Sequence, residues 1–301
     1  MADVGRDVRE AVGAGPRHGD GAVVRTEGGD DVFGVDERAE SVLIAALRER
    51  CGERWPGSLV IEGFDEPVAI GSMGGSWRYI ADPVDGSRPW LAGKRSAWVL
   101  LGAGRDAATL DALEVGACVE LPTARAALSM VAWAVRDSGQ PTIVDDHLVT
   151  GATLVAEVGP RTDAGLTERS FVSIQRFVPG QKATLGAWED DVLAGLELYE
   201  DPYLCSGGQL MEVVCGRELA VLDPRPLVVE GMAAHPYDLA AWVVAREAGV
   251  IVEALPPGPL HYPLDTGTPV AWAAYANEAV AAALRVRLRR AMPAPGRPGT
   301  R

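Results

Sequence analysis

The chain has 301 residues, 48% of them apolar, which is enough to bury a substantial core as one large domain or two closely packed ones. Its formal net charge of −14 speaks against nucleic-acid or anionic-membrane partners, which reward clustered Lys and Arg, but allows a small anion whose charge metal ions offset. No run approaches the ~18 to 20 continuous apolar residues of a membrane span, no signal-peptide pattern opens the chain, and Cys51, Cys118, Cys205 and Cys215 show no Cys-x-x-Cys spacing, so a cytoplasmic protein with reduced, buried cysteines is expected.

In chain order, residues 1–22 are rich in Gly, Asp and Arg without a period and read as a disordered leader; 293–301 read as a disordered tail. From Asp36 to Cys51, Val35, Ala39, Val42, Leu43, Ala46 and Leu47 fall on one helical face. Ser58 to Glu62 and Trp77 to Asp82 are short apolar or alternating runs, each ending in a carboxylate; Ser96 to Ala103 and Val115 to Leu121 are further strand-length runs. Ala124 to Val135 fits a helix by apolar spacing and a strand by its neighbours.

A boundary near 159–165 divides an N-terminal half, 23–163, from a C-terminal half, 164–292. The second half reads as strand Ser170 to Phe177, helices Lys182 to Leu198 and Gly207 to Val214, and strands Leu219 to Leu222 and Leu227 to Glu230. A helix follows from Asp238 to Ala248, then the strand Val250 to Ala254 and an Ala-rich helix from Val270 to Arg290 whose terminal arginines complement its dipole.

The segment Tyr79-Ile80-Ala81-Asp82-Pro83-Val84-Asp85-Gly86-Ser87 carries the most chemistry: a strand stops at an acid and turns through Pro and Gly. Pro83 cannot donate to a ladder, and Gly86 lets the backbone approach a ligand beside the Ser87 hydroxyl. Two carboxylates three residues apart on such a turn suit a hard divalent cation; they equally suit a turn in which Asp side chains accept backbone amides. Asp36 likewise reads as a helix cap.

This segment resembles the D-P-[ILV]-D-G-[ST] signature of the inositol monophosphatase superfamily. Glu62 stands where that family has its first metal-ligating Glu, and Asp30-Asp31-Val32-Phe33-Gly34-Val35-Asp36 is similar to its D-x-V-T-x-x-D pre-helix segment, with Phe33 for Thr. His235-Pro236-Tyr237-Asp238-Leu239-Ala240-Ala241-Trp242 with Glu247-Ala248-Gly249 resembles its W-D-x-A-A…E-A-G signature.

The resemblance implies an α+β fold of αβαβα layers and a Mg²⁺-dependent phosphatase. It assigns Glu62, Asp82, Asp85, Asp238 and the Val84 carbonyl to metal, Asp36 and Ser87 to the attacking water, and Gly86, Ser87, Ser206, Gly207 and Glu230 to substrate. The implied partner is a small phosphorylated molecule, an inositol phosphate or related cyclitol or sugar phosphate, met by a homodimer. Fructose 1,6-bisphosphate, histidinol phosphate, 3′-phosphoadenosine nucleotides, or a non-catalytic relative binding a phosphorylated ligand remain alternatives. Gly63 stands where the family has a second acid, and Arg88-Pro89-Trp90 departs from its usual continuation, implying an altered rim. His147 and His235 are weak candidates as bases, since a metal-activated water needs neither.

Overall fold

The structure, a computed structural model, describes residues 1–27, 30–72, 74–166, 170–202 and 204–291. Its first half runs α1 (Ala2–Val12), β1 (Val23–Glu27), β2 (Asp30–Phe33), α2 (Gly34–Cys51), β3 (Gly57–Ile61), β4 (Val68–Ile70), β5 (Trp77–Asp85), α3 (Ser87–Leu91), β6 (Ala97–Arg105), β7 (Val115–Leu121), β8 (Leu128–Val135), β9 (Thr142–His147) and β10 (Thr153–Val155). Then follow β11 (Val172–Ile174), α4 (Lys182–Leu193), α5 (Ser206–Val214), β12 (Ala220–Asp223), α6 (Arg225–Val228), α7 (Trp242–Glu247), β13 (Ile251–Ala254), β14 (Trp272–Tyr275) and α8 (Glu278–Ala291).

Eight strands form one sheet in the order β10-β9-β8-β7-β6-β5-β3-β4, and four form a second in the order β11-β12-β14-β13. The central strands of the larger sheet are apolar on both faces, so alternate side chains enter two different cores. In β6, Val99 and Leu101 pack with α1 and α2, while Trp98 and Leu100 face α5, α7 and the second sheet. Helix α8 covers the far face of that sheet through Val280, Ala281, Leu284 and Leu288. The layers are therefore αβαβα, as expected. The cysteines are free, with Cys51, Cys118 and Cys205 buried, and among the described residues no helix is long and apolar enough to cross a membrane.

Several expectations are corrected. Residues 1–22 hold a packed helix, because Val4, Val8 and Val12 recur every four residues and all are fully buried. Ala124 to Val135 resolves as a strand from Leu128, paired with β7 and β9. Leu227 to Glu230 is not a strand: β12 ends at Asp223 and the chain coils into α6. The Val270 to Arg290 helix divides, since Trp272–Tyr275 fills the middle of the second sheet and the Asn277 side chain accepts the Val280 amide at 3.0 Å to start α8. Asp238 sits in a 3₁₀ turn, Pro236–Leu239, ahead of α7, and the helix from Lys182 stops at Leu193. The expected tail, 293–301, lies outside the described residues.

Helix α1 is held at its polar edge by Asp146 of β9, which accepts Arg6 Nε at 2.8 Å, Arg9 Nη2 at 2.9 Å and the Thr153 hydroxyl at 2.8 Å. Burial alone would raise the Asp146 pKa; Arg6, Thr153 and Arg9 together hold it down to about 2. A carboxylate depressed in the folded state stabilises it above the unfolded value of ~4, and that contribution fades as pH falls through the folded one. Wild type should therefore melt above Asp146→Asn at pH 5 to 7, the gap closing between about pH 4 and 2. A gap that is constant with pH would show that the charge is idle.

Candidate functional site

The site begins where β5 loses its ladder. Pro83 has no N–H, and pairing with β6 shifts register between Asp82 and Asp85. Asp82 is 2% exposed and accepts the Val84 amide at 2.9 Å. Gly86 then turns at φ 91°, and a Cβ there would lie 3.0 Å from Cys205 Cβ and 3.1 Å from the Leu204 carbonyl, so both conformation and space demand glycine. That close approach brings the start of α5 onto β5. The Asp85 carboxylate accepts the Ser206 amide at 3.2 Å and the Gly207 amide at 2.5 Å, and a Cβ on Gly207 would strike Leu100 at 2.5 Å.

The third acid arrives from the 3₁₀ turn, which packs on β5 and β6. Asp238 accepts the His235 amide at 2.7 Å. Ligand atoms of Asp82, Asp85 and Asp238 all lie within 4.8 Å of one another. Glu62, just past β3, hydrogen bonds with Asp82.

Burial is the largest force raising the Asp82 pKa far above the carboxylate range, followed by the charges of Glu62, Asp85 and Asp238. Asp85 is pushed up to about 8, by burial and then by Asp238, against the stabilising Gly207 amide. Asp238 is raised by burial, with the opposing charge of His235 next. Carboxylates converging in this way, Asp82 and Asp85 buried and Asp238 half-buried, are what a hard divalent cation relieves, so the donor set fits such an ion.

The acids open on a cavity of about 480 Å³, whose wall includes Asp36, Val84, Gly86, Ser87 and Ser206. Asp36 lies within the first turn of α2, which starts two residues earlier than expected, and accepts the Phe33 amide at 2.7 Å. Two assignments to substrate change. Gly207 does not line the cavity, its amide being spent on Asp85. Glu230 is exposed and off the cavity wall; the acid at the end of β12 is Asp223, because α6 intervenes.

No known family profile matches this chain, and no curated protein matches it. Solved structures do. A hypothetical protein of Pyrococcus horikoshii described as having similarities to inositol-1 monophosphatase superposes with a TM-score of 0.67 at 19% identity, over 95% of this chain and 94% of its own. SuhB of Mycobacterium tuberculosis gives 0.60 at 15%, over 96% and 92%. The chain shares the inositol monophosphatase fold. Fructose-1,6-bisphosphatase of Leishmania major shares it, with a TM-score of 0.69 at 12% identity over 96% of this chain and 92% of that one.

Within the inositol monophosphatase fold, the departures seen in the sequence find physical explanations. Of Arg88, Pro89 and Trp90, only Arg88 reaches the cavity; Trp90 is fully buried and donates to the Pro122 carbonyl at 3.0 Å. The space beside Gly63 is filled by an ion pair, in which Arg25 Nη2 donates to Glu40 at 2.7 Å and to the Gly63 carbonyl at 3.0 Å. Glu247 accepts the amides of Asp137 and Gly139 at 3.0 and 2.9 Å, pinning the turn after β8 rather than serving the cavity. Sequence reasoning missed Arg225, a buried cation on the cavity wall. Its signal was Asp223-Pro224, a strand-ending acid followed by proline as in Asp82-Pro83.

Proposed function

We propose that the chain is a Mg²⁺-dependent phosphatase hydrolysing a small phosphate monoester of the inositol, cyclitol or sugar phosphate class. The observation that carries this reading is the convergence of Asp82, Asp85 and Asp238 within 4.8 Å, raised in pKa by burial and mutual repulsion, on a cavity of substrate size. These acids, with Glu62 and the Val84 carbonyl, would hold the cation. Mg²⁺ in such a site supplies Lewis acidity toward a phosphoryl oxygen and toward water.

The chain's own groups do the rest. Asp36, kept rigid by its bond to the Phe33 amide, and the Ser87 hydroxyl orient the attacking water. The amides of Gly86 and Ser87 face the charge that develops on the phosphoryl oxygens. Ser206 closes the cavity beside Asp85 rather than binding substrate through its amide, which Asp85 already holds.

Phosphate release from a panel of sugar, cyclitol and nucleotide phosphates, with Mg²⁺ and with excess chelator, tests the reading. Turnover of at least one ester with Mg²⁺, abolished by chelator, is the expected outcome. Turnover undiminished in chelator, or none on any ester, would remove it.

A further inference from the structure

Arg225 is 2% exposed, and its carboxylate partner Asp223 is fully buried. Asp223 takes Arg225 Nε at 2.8 Å and Nη2 at 2.6 Å in a two-pronged pair, and also accepts the Arg225 backbone amide at 3.2 Å. The guanidinium carbon lies 4.2 Å from the centre of the Phe177 ring. A planar cation gripped on one edge and stacked on one face cannot rotate, so its remaining nitrogen has a fixed direction.

That nitrogen, Nη1, has no hydrogen-bond partner among the described residues, yet it is not one of the buried polar atoms sealed from solvent. Arg225 and Phe177 both line the cavity that holds the acids. A side chain almost wholly buried thus keeps two N–H donors for the cavity. Asp238 and Asp85 act on Arg225 through their charges, but among the described residues only Asp223 takes hydrogen bonds from it. Leaving a buried donor unpaired costs ~1–3 kcal/mol, and a charged acceptor satisfies it about twice as well as a neutral one.

We propose that Arg225 reads a second anionic group on the substrate, a carboxylate or a second phosphate, while the scissile phosphate sits at the acids. This deepens the phosphatase reading and rests on it. Asp223 and Phe177 are positioning residues, fixing the guanidinium plane. The chain then prefers esters carrying two anionic groups over otherwise matched polyol monophosphates.

The test is calorimetric binding, in Mg²⁺, of three matched phosphonate analogues that resist hydrolysis and carry a hydroxyl, a carboxylate or a second phosphonate at the far position. In wild type, the carboxylate or the second-phosphonate analogue should bind at least about tenfold tighter than the hydroxyl one, and the tighter arm identifies the group. Asp223→Asn/Arg225→Gln removes both charges at nearly constant volume and should bring the ratio close to one, with Arg225→Lys falling between. A wild-type ratio near one, or a ratio unchanged in the double variant, overturns the inference. Should the double variant not fold, the wild-type ratio and Arg225→Lys decide. The two readings fail separately: binding without preference alongside Mg²⁺-dependent turnover removes only the Arg225 inference, whereas preference without turnover of any ester removes only the phosphatase reading.

Discussion

Asp85→Asn is expected to lower ester hydrolysis by three orders of magnitude or more, while the metal-free protein melts at or above the wild-type temperature. The two effects share one cause. Asp85 is buried beside Asp238, and burial with that repulsion pushes its pKa up to about 8, so at neutral pH the apo fold holds it protonated, at a cost in stability. The Asn carbonyl oxygen can still accept an amide at the start of α5, where Asp85 now holds Ser206 and Gly207. The fold therefore loses little and sheds that cost. Turnover loses a charged ligand, and a thousandfold fall corresponds to ~4 kcal/mol of barrier. Activity within about tenfold of wild type, or ~1.4 kcal/mol, would show that Asp85 is only a helix cap. A site that is locally unfavourable until its cation arrives is a common place for stability to be traded for function.

Removing residues 1–12 should lower the melting temperature by roughly 10 °C or leave the protein insoluble. Val4, Val8 and Val12 are fully buried against the first sheet, and full burial of such a side chain contributes ~1.5–3 kcal/mol. Unfolded chains already bury part of that surface, and the deletion also spares the cost of ordering the helix. A net loss of about 3–5 kcal/mol at ~2–4 °C per kcal/mol gives the stated shift. The packing is close: a Cβ on Gly5 would lie 2.5 Å from Val119 Cγ2, so α1 sits directly on β7. The deletion would bare Leu101, Val119 and Val131 to water. An unchanged melting curve and full solubility would mean that α1 contributes nothing.

The acid-bearing turn was readable because everything that shapes it is local. Pro83 breaks the ladder, Gly86 supplies the left-handed turn, and the acids fall on either side. Helix α1 was hidden because only three valines among polar residues mark it, and its partner β7 is formed a hundred residues later. Glu230 was misplaced for a related reason. Counting back from Asp238 assumes an unbroken strand, and the single turn of α6 after Asp223 moves the exposed acid away from the cavity. Ser206 and Gly207 were assigned to substrate, whereas their amides are held by Asp85, because the use of those amides depends on how far β5 intrudes on α5. Arg225 reads as an ordinary surface cation until Asp223 and Phe177 are seen to grip it.

The central claim is that the buried acids are a divalent-cation site, and the melting temperature with and without Mg²⁺ addresses it without any substrate. A ligand that binds only the folded state at about a hundred times its dissociation constant adds ~2.7 kcal/mol, a rise of roughly 5–10 °C for a chain of this kind. Saturating Mg²⁺ should therefore raise the melting temperature of wild type by several degrees and that of Asp85→Asn/Asp238→Asn by almost nothing. Equal melting temperatures of wild type in saturating Mg²⁺ and in chelator would contradict the account.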